Sequence, residues 1–113
     1  MRLSDVSLTA VATLRSQVIE SRKTNPVIID PMADLCLERL AELASTEERT
    51  RFFGRKLSPS LTRHLALRAR KYDASANQFI AENPACLVLN LGCGFDTRYW
   101  RNRAKFRHPR WRR

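Results

Sequence analysis

Apolar positions recur at helical spacing through most of the chain and switch to a continuous run near its C-terminal end. Val6, Val11, Leu14 and Val18 form an imperfect stripe that predicts a first helix. Ser4 or Asp5 can cap it, and it runs to about Arg22. Asn25-Pro26 breaks it, and Val27-Ile28-Ile29 reads as a short extended link. Asp30-Pro31 supplies an N-cap and first helical position. Met32, Leu35, Cys36, Leu40 and Leu43 follow as the stripe of a second helix. Residues 45–56 are a charged connector, anchored by Phe52-Phe53 and ended by Gly54. Ser58-Pro59 opens the longest helix, whose expected stripe is Leu61, Leu65, Tyr72, Ala76 and Phe79, and Asn83-Pro84 closes it. Cys86 to Leu91 is apolar except for Asn90. Its length, and the glycine turn after it, predict a strand, of the kind buried on both faces of a parallel sheet. Asp96 or Thr97 can then cap a helix starting at Arg98.

The 113 residues are enough for one small domain, and 43% hydrophobic content allows a packed core. No apolar run is long enough to span a membrane. The N-terminus has an early acid and no apolar signal region, so the chain is expected to be cytoplasmic. Cys36, Cys86 and Cys93 lack CxxC spacing, which argues against a disulfide framework or a zinc site. His64 and His108 have no partner at metal or triad spacing.

The net charge of +10 is unevenly placed. Residues 98–113 hold eight basic residues and no acid, whereas residues 1–97 hold thirteen basic and eleven acidic ones. Such a shift marks a boundary between segments. The tail interleaves Arg and Lys with Tyr99, Trp100, Phe106 and Trp111, a composition that suits phosphate contacts and base stacking. An out-of-frame reading of a GC-rich gene produces such an end as well, and beyond Arg101 that is the favoured reading.

Two features carry candidate chemistry. Leu91-Gly92-Cys93-Gly94 follows the strand and precedes a helix. Glycines there let the backbone approach a ligand, and free amides at a helix start favour polar or anionic groups. The third glycine of the dinucleotide fingerprint is absent, which disfavours a pyrophosphate site. By spacing alone the turn is equally an ordinary strand-to-helix connection. The other feature is Arg68, which falls in the sector of Leu61, Leu65, Tyr72 and Phe79. A guanidinium there needs an anion, or must reach water along its own stem.

The segment Val88 to Tyr99, with its Asn90-Leu91-Gly92-Cys93-Gly94 and Asp96-Thr97-Arg98, resembles the first S-adenosylmethionine (SAM) motif of the leucine carboxyl methyltransferase family. That family includes protein phosphatase methyltransferases and polyketide O-methyltransferases of tetracenomycin type. Val6 to Ala10, Ile19-Glu20-Ser21-Arg22, Ile29-Asp30-Pro31-Met32-Ala33 and Leu67 to Asp73 resemble further elements of that family in the same order. The resemblance covers roughly residues 5–101 and only the front of a family member.

It implies an α/β, Rossmann-like class I SAM-dependent methyltransferase fold. This chain would supply its mostly helical start and one strand-like segment near 86–91. It implies SAM as cofactor, and a carboxyl or hydroxyl acceptor on a small molecule or peptide end. Arg68 would hold the SAM carboxylate, with Arg70 as the alternative. Gly92 would lie against the cofactor, Gly94 would allow the close turn, and Asp96 would shape it. Family members often carry a basic residue near Gln17, for which Arg15 is the nearest substitute here. No catalytic base is assigned, and no metal is expected.

No Asp or Glu follows Arg98, so the acid that binds the SAM ribose in family members has no counterpart. A single strand cannot form a sheet, so it is expected to stand unpaired with open faces. The expected organisation is a methyltransferase front at 1–101 and a disordered or out-of-frame basic tail at 102–113. Such a truncated fragment would have weak activity or none alone. The alternatives are a small nucleic-acid-binding protein acting through the tail, and a helical interaction protein that borrows sheet edges from a partner.

Overall fold

A computed structural model describes residues 5–102 and 110–112. Its framework is three helices: α1 (Asp5–Ser21), α2 (Pro31–Leu43) and α4 (Pro59–Glu82), with a short α3 (Thr46–Glu48) that runs into a π-helical turn at Arg49–Phe53. Strand β1 (Leu87–Leu89), helix α5 (Arg98–Asn102) and strand β2 (Arg110–Arg112) complete it.

Helix α1 is central, packed against both α2 and α4. Val11, Leu14 and Val18 of its expected stripe are buried, and the Val6 side chain lies outside the described residues. Ser16, Gln17 and Glu20 are buried as well. Having neighbours on both sides, α1 needs no single apolar stripe, which is why its pattern is imperfect.

Glu20 and Ser21 fold the following link back onto α1. Glu20 Oε1 accepts from the Val27 amide at 3.0 Å, and Oε2 accepts from Lys23 Nζ at 2.6 Å. Ser21 Oγ accepts from the Asp30 amide at 2.8 Å and donates to the Ile28 carbonyl at 3.3 Å. Hydrogen bonds from Lys23 and Val27 hold the Glu20 carboxyl below its ordinary range, against the opposing effect of burial.

The main core joins Leu14, Val18, Ala33 and Leu40, with Phe53 and Phe95 packed against it. Leu35 and Leu43 of the expected α2 stripe are exposed, because only one narrow edge of α2 meets α1. Asp30 caps α2 by accepting from the Ala33 amide at 2.9 Å, with Pro31 in the first turn. In the connector, Ser45 and Glu48 form a capping box, and Phe52 is buried. Ser58 caps α4, and Asn83 closes it with amide and side-chain bonds to the Phe79 carbonyl.

The stripe expected for α4 is not its buried face. Thr62, Ala66, Ala69, Asp73 and Ile80 are buried, whereas Leu61, Tyr72 and Phe79 are exposed. The buried face is one position on, a rotation of about 100°. Small residues let α1 and the Ile28 link approach closely, and Leu61, Leu65 and Tyr72 are left to line cavities.

Strand β1 is shorter than the run 86–91, and it is not buried on both faces: Leu87 and Leu89 are exposed. Nor is it unpaired. It pairs in parallel with β2, with Leu87 opposite Arg110, Val88 opposite Trp111 and Leu89 opposite Arg112. Two strands of three residues cannot cover each other's faces, so the apolar side chains remain open. Asn102, placed by sequence at the start of the basic tail, closes α5 and is buried. Residues 103–109 and 113 of that tail lie outside the described residues. No helix among the described residues is long and apolar enough to cross a membrane.

Candidate cofactor site

The glycine turn leaves β1 and is held by a few local bonds. The Asp96 amide donates to the Cys93 carbonyl at 2.7 Å. Asp96 Oδ2 accepts from Asn90 Nδ2 at 2.8 Å, which ties the strand end to the helix start. Its Oδ1 accepts from the Arg98 amide at 3.0 Å, so Asp96 caps α5. Gly92 and Gly94 have φ of +60° and +47°. This left-handed region disfavours side chains. A Cβ on either would meet nothing within 4 Å, so the bare backbone faces open space. Thr97 is buried on the other side, and Phe95 packs against the main core while also bordering this space.

That open space is a cavity of about 330 Å³ between α1, α4 and the turn. Arg68, Gly92, Gly94 and Asp96 all line it. Arg68 is exposed on the cavity wall and has no ion pair among the described residues. It shares the Leu65 and Tyr72 face of α4, which is the cavity wall and not core. Arg70 is on the other side of α4, in a separate groove beside residues 26–29. Gln17 also lines the glycine-turn cavity, with its Oε1 3.4 Å from Thr97 Oγ1. Arg15 does not substitute for it. Two positions along the helix is a rotation of about 200°, and its Nη1 donates to the Phe52 carbonyl at 3.0 Å in a neighbouring cavity.

Behind the turn is a buried polar cluster that single motifs did not reveal. Arg101 Nε and Nη2 fork onto Asp73 Oδ2 and Oδ1 at 2.6 and 2.9 Å. Its Nη1 donates to Asp30 Oδ2 at 2.8 Å and to Thr97 Oγ1 at 2.7 Å. Thr97 Oγ1 in turn donates to Asp30 Oδ2. Burial works against the Arg101 charge, but the bonds and charges of Asp73 and Asp30 outweigh it and raise its pKa. Arg98 adds to the cluster, with Nε 3.3 Å from Asp73 Oδ1 and its guanidinium 5.7 Å from the Tyr72 ring centre. The cluster thus joins the start of α2, the middle of α4 and α5 directly under the glycine turn. The available signal was Asp73, an acid at the spacing of Thr62, Ala66 and Ala69.

None of the three cysteines forms a disulfide, and all are half-buried. Among the described residues, no group of three His, Cys, Asp or Glu side chains could hold a metal ion.

The chain is similar to two named methyltransferases. It is 35% identical over 101 residues to the tetracenomycin polyketide synthesis O-methyltransferase TcmP of Streptomyces glaucescens, covering 89% of this chain and 34% of that protein. It is 29% identical over 97 residues to the S-adenosyl-L-methionine-dependent methyltransferase dpfgK of Gibberella zeae, covering 85% and 32%. The chain therefore spans about a third of the length of these curated relatives. No solved structure matches it. The pattern of one family, leucine carboxyl methyltransferase, matches residues 9–108 and so takes in most of α1, all of α4 and the whole glycine turn. With that match, the chain belongs to the leucine carboxyl methyltransferase family.

Proposed function

We propose that this chain forms the cofactor-binding front of a SAM-dependent O-methyltransferase whose acceptor is a carboxylate or hydroxyl on a small molecule. One observation carries the reading: Arg68 and the two left-handed glycines, far apart in sequence, line one cavity. Its volume of about 330 Å³ is at the lower end for small-molecule sites. Both relatives are named as methyltransferases, and one name specifies polyketide O-methylation.

The residues fit the amino-acid end of SAM. Arg68 offers an unpaired guanidinium fork, which matches a carboxylate bidentately. Gly92 and Gly94 present bare backbone where a Cβ would stand between turn and ligand. Asp96 is engaged by Asn90 and Arg98, so its part is to hold the turn. When bound, the cofactor supplies a methyl group made electrophilic by its sulfonium. The chain's own residues orient it: Arg68 fixes one end, and the buried cluster under the turn holds the glycines in place. The sequence has no acid after Asp96, so the ribose diol draws no carboxylate from that part of the chain.

The nucleic-acid reading of the tail gains nothing here, since neither relative's name points to nucleic acid.

Isothermal titration of the chain with S-adenosylhomocysteine tests the proposal. Binding is expected, and Arg68→Ala should weaken it about 10-fold or more, as loss of a charged hydrogen-bonded pair does. Since Arg68 is exposed and unpaired, the variant should melt as the parent does. Absence of binding, or binding indifferent to Arg68, rejects the assignment.

A further inference from the structure

We propose that a second cavity, beside the glycine turn's, binds an amphipathic organic anion: an apolar body carrying a carboxylate or phenolate. As the place of the methyl acceptor, it rests on the reading above.

The cavity has a volume of about 430 Å³ and lies between the first half of α1, the segment 52–58 and the start of α4. Leu8, Ala12, Phe52, Leu57, Leu61 and Leu65 give it apolar walls. Its charged lining is of one sign: Arg15, Arg55, Lys56 and Arg68, with no acid. Arg55 and Lys56 alone would be an exposed, solvated link. Arg15 is different. It is half-buried, its guanidinium bonds to a neutral carbonyl, and it has no ion pair among the described residues. Burial accordingly lowers its pKa. A partly desolvated cation facing an apolar cavity is stabilised by an anion that enters it. Apolar walls select a ligand with a hydrophobic body, and four cations with no acid select a negative one.

Position completes the argument. Thr13, Leu65 and Arg68 line both this cavity and the one at the glycine turn. The two share a wall, so a ligand here lies next to whatever occupies the other. This also gives Leu61, an exposed leucine on α4, a role as ligand-facing surface.

The test is fluorescence titration of the full chain with 3-hydroxy-2-naphthoate and, separately, with neutral 2-naphthol. Naphthoate should bind about 10-fold more tightly than naphthol, the difference expected of a charged hydrogen-bonded pair. Arg15→Gln and Lys56→Gln should each weaken naphthoate binding and leave naphthol binding nearly unchanged. Arg63→Gln, an exposed position outside the cavity, should alter neither. Lys56 is exposed on the link, so its variant keeps the test valid should Arg15→Gln fail to fold. No naphthoate binding, equal affinity for the two probes, or indifference to Lys56→Gln overturns the proposal. Naphthoate binding without S-adenosylhomocysteine binding overturns the methyltransferase reading and retains the anion site. The converse result rejects the anion site alone.

Discussion

Arg101→Gln should be among the most damaging single substitutions in this chain, although Arg101 borders the basic tail. Its side chain is 4% exposed and bonds to two carboxylates and a threonine from three elements. Glutamine removes the charge and the fork. Asp73, 12% exposed at its side chain, then loses its bidentate partner, while Asp30 keeps only the Ala33 amide and Thr97. Breaking a buried ion pair from one side costs about 3–5 kcal/mol. Small domains have about 5–15 kcal/mol in total. With a urea dependence of about 1.5 kcal/mol per molar, the unfolding midpoint should fall by roughly 2–3 M. Circular dichroism at 222 nm reports it, since the framework is helical. Adding Asp73→Asn should cost less than the sum of the single losses, with a coupling of about 1–3 kcal/mol. An Arg101→Gln variant within about 0.5 kcal/mol of the parent, a typical surface effect, would show that the cluster does not hold the fold together.

Other substitutions test separate parts of the argument. Leu14 is 1% exposed in the main core, so Leu14→Ala should cost about 2–5 kcal/mol by urea unfolding. Gly94→Ala places a Cβ at φ +47° with nothing to clash against. Strain alone should cost about 1–2 kcal/mol, and a greater loss in S-adenosylhomocysteine affinity would mark the turn as ligand wall. Glu20 has a carboxyl pKa lowered by folding. Its contribution is complete above the unfolded value of about 4.3 and is lost as pH falls through the lower folded value. Urea midpoints between pH 2.5 and 6 should therefore drop on acidification, and Glu20→Gln should flatten that drop; equal slopes would contradict the assignment.

What the sequence disclosed follows how local each signal is. Asp30-Pro31 and Ser58-Pro59 mark true helix starts because a cap needs only its own next three residues. Asn83-Pro84 marks a true end for the same reason. The buried face of α4 departs from its apolar stripe because packing selects small residues over large ones there: Ala66 and Ala69 are buried while Tyr72 and Phe79 are exposed. The pairing of β1 lay beyond the sequence pattern because its partner, Arg110–Arg112, has the composition of a solvated tail. In a parallel pair the backbone supplies the bonds, so side-chain pattern is a poor guide where Leu87 and Leu89 stand exposed.

The candidate site divides along the same line. Gly92, Gly94 and Asp96 belong to one contiguous motif and are legible together. That Arg68 lines the same cavity depends on how α4 rotates against α1, which a helical wheel cannot fix. The buried cluster is least legible, since Asp30, Asp73, Thr97 and Arg101 each have a satisfactory local reading as cap, helix acid, cap and tail. Only the folded chain shows the links between them: the threonine of Asp96-Thr97 bonds the aspartate of Asp30-Pro31, and Arg101 joins both to α4. The turn's two faces therefore have different tasks. Glycines keep the cavity face bare, and the opposite face is fixed by charge in a buried place where unpaired carboxylates are costly. A turn built this way can hold two left-handed residues without a ligand to support them.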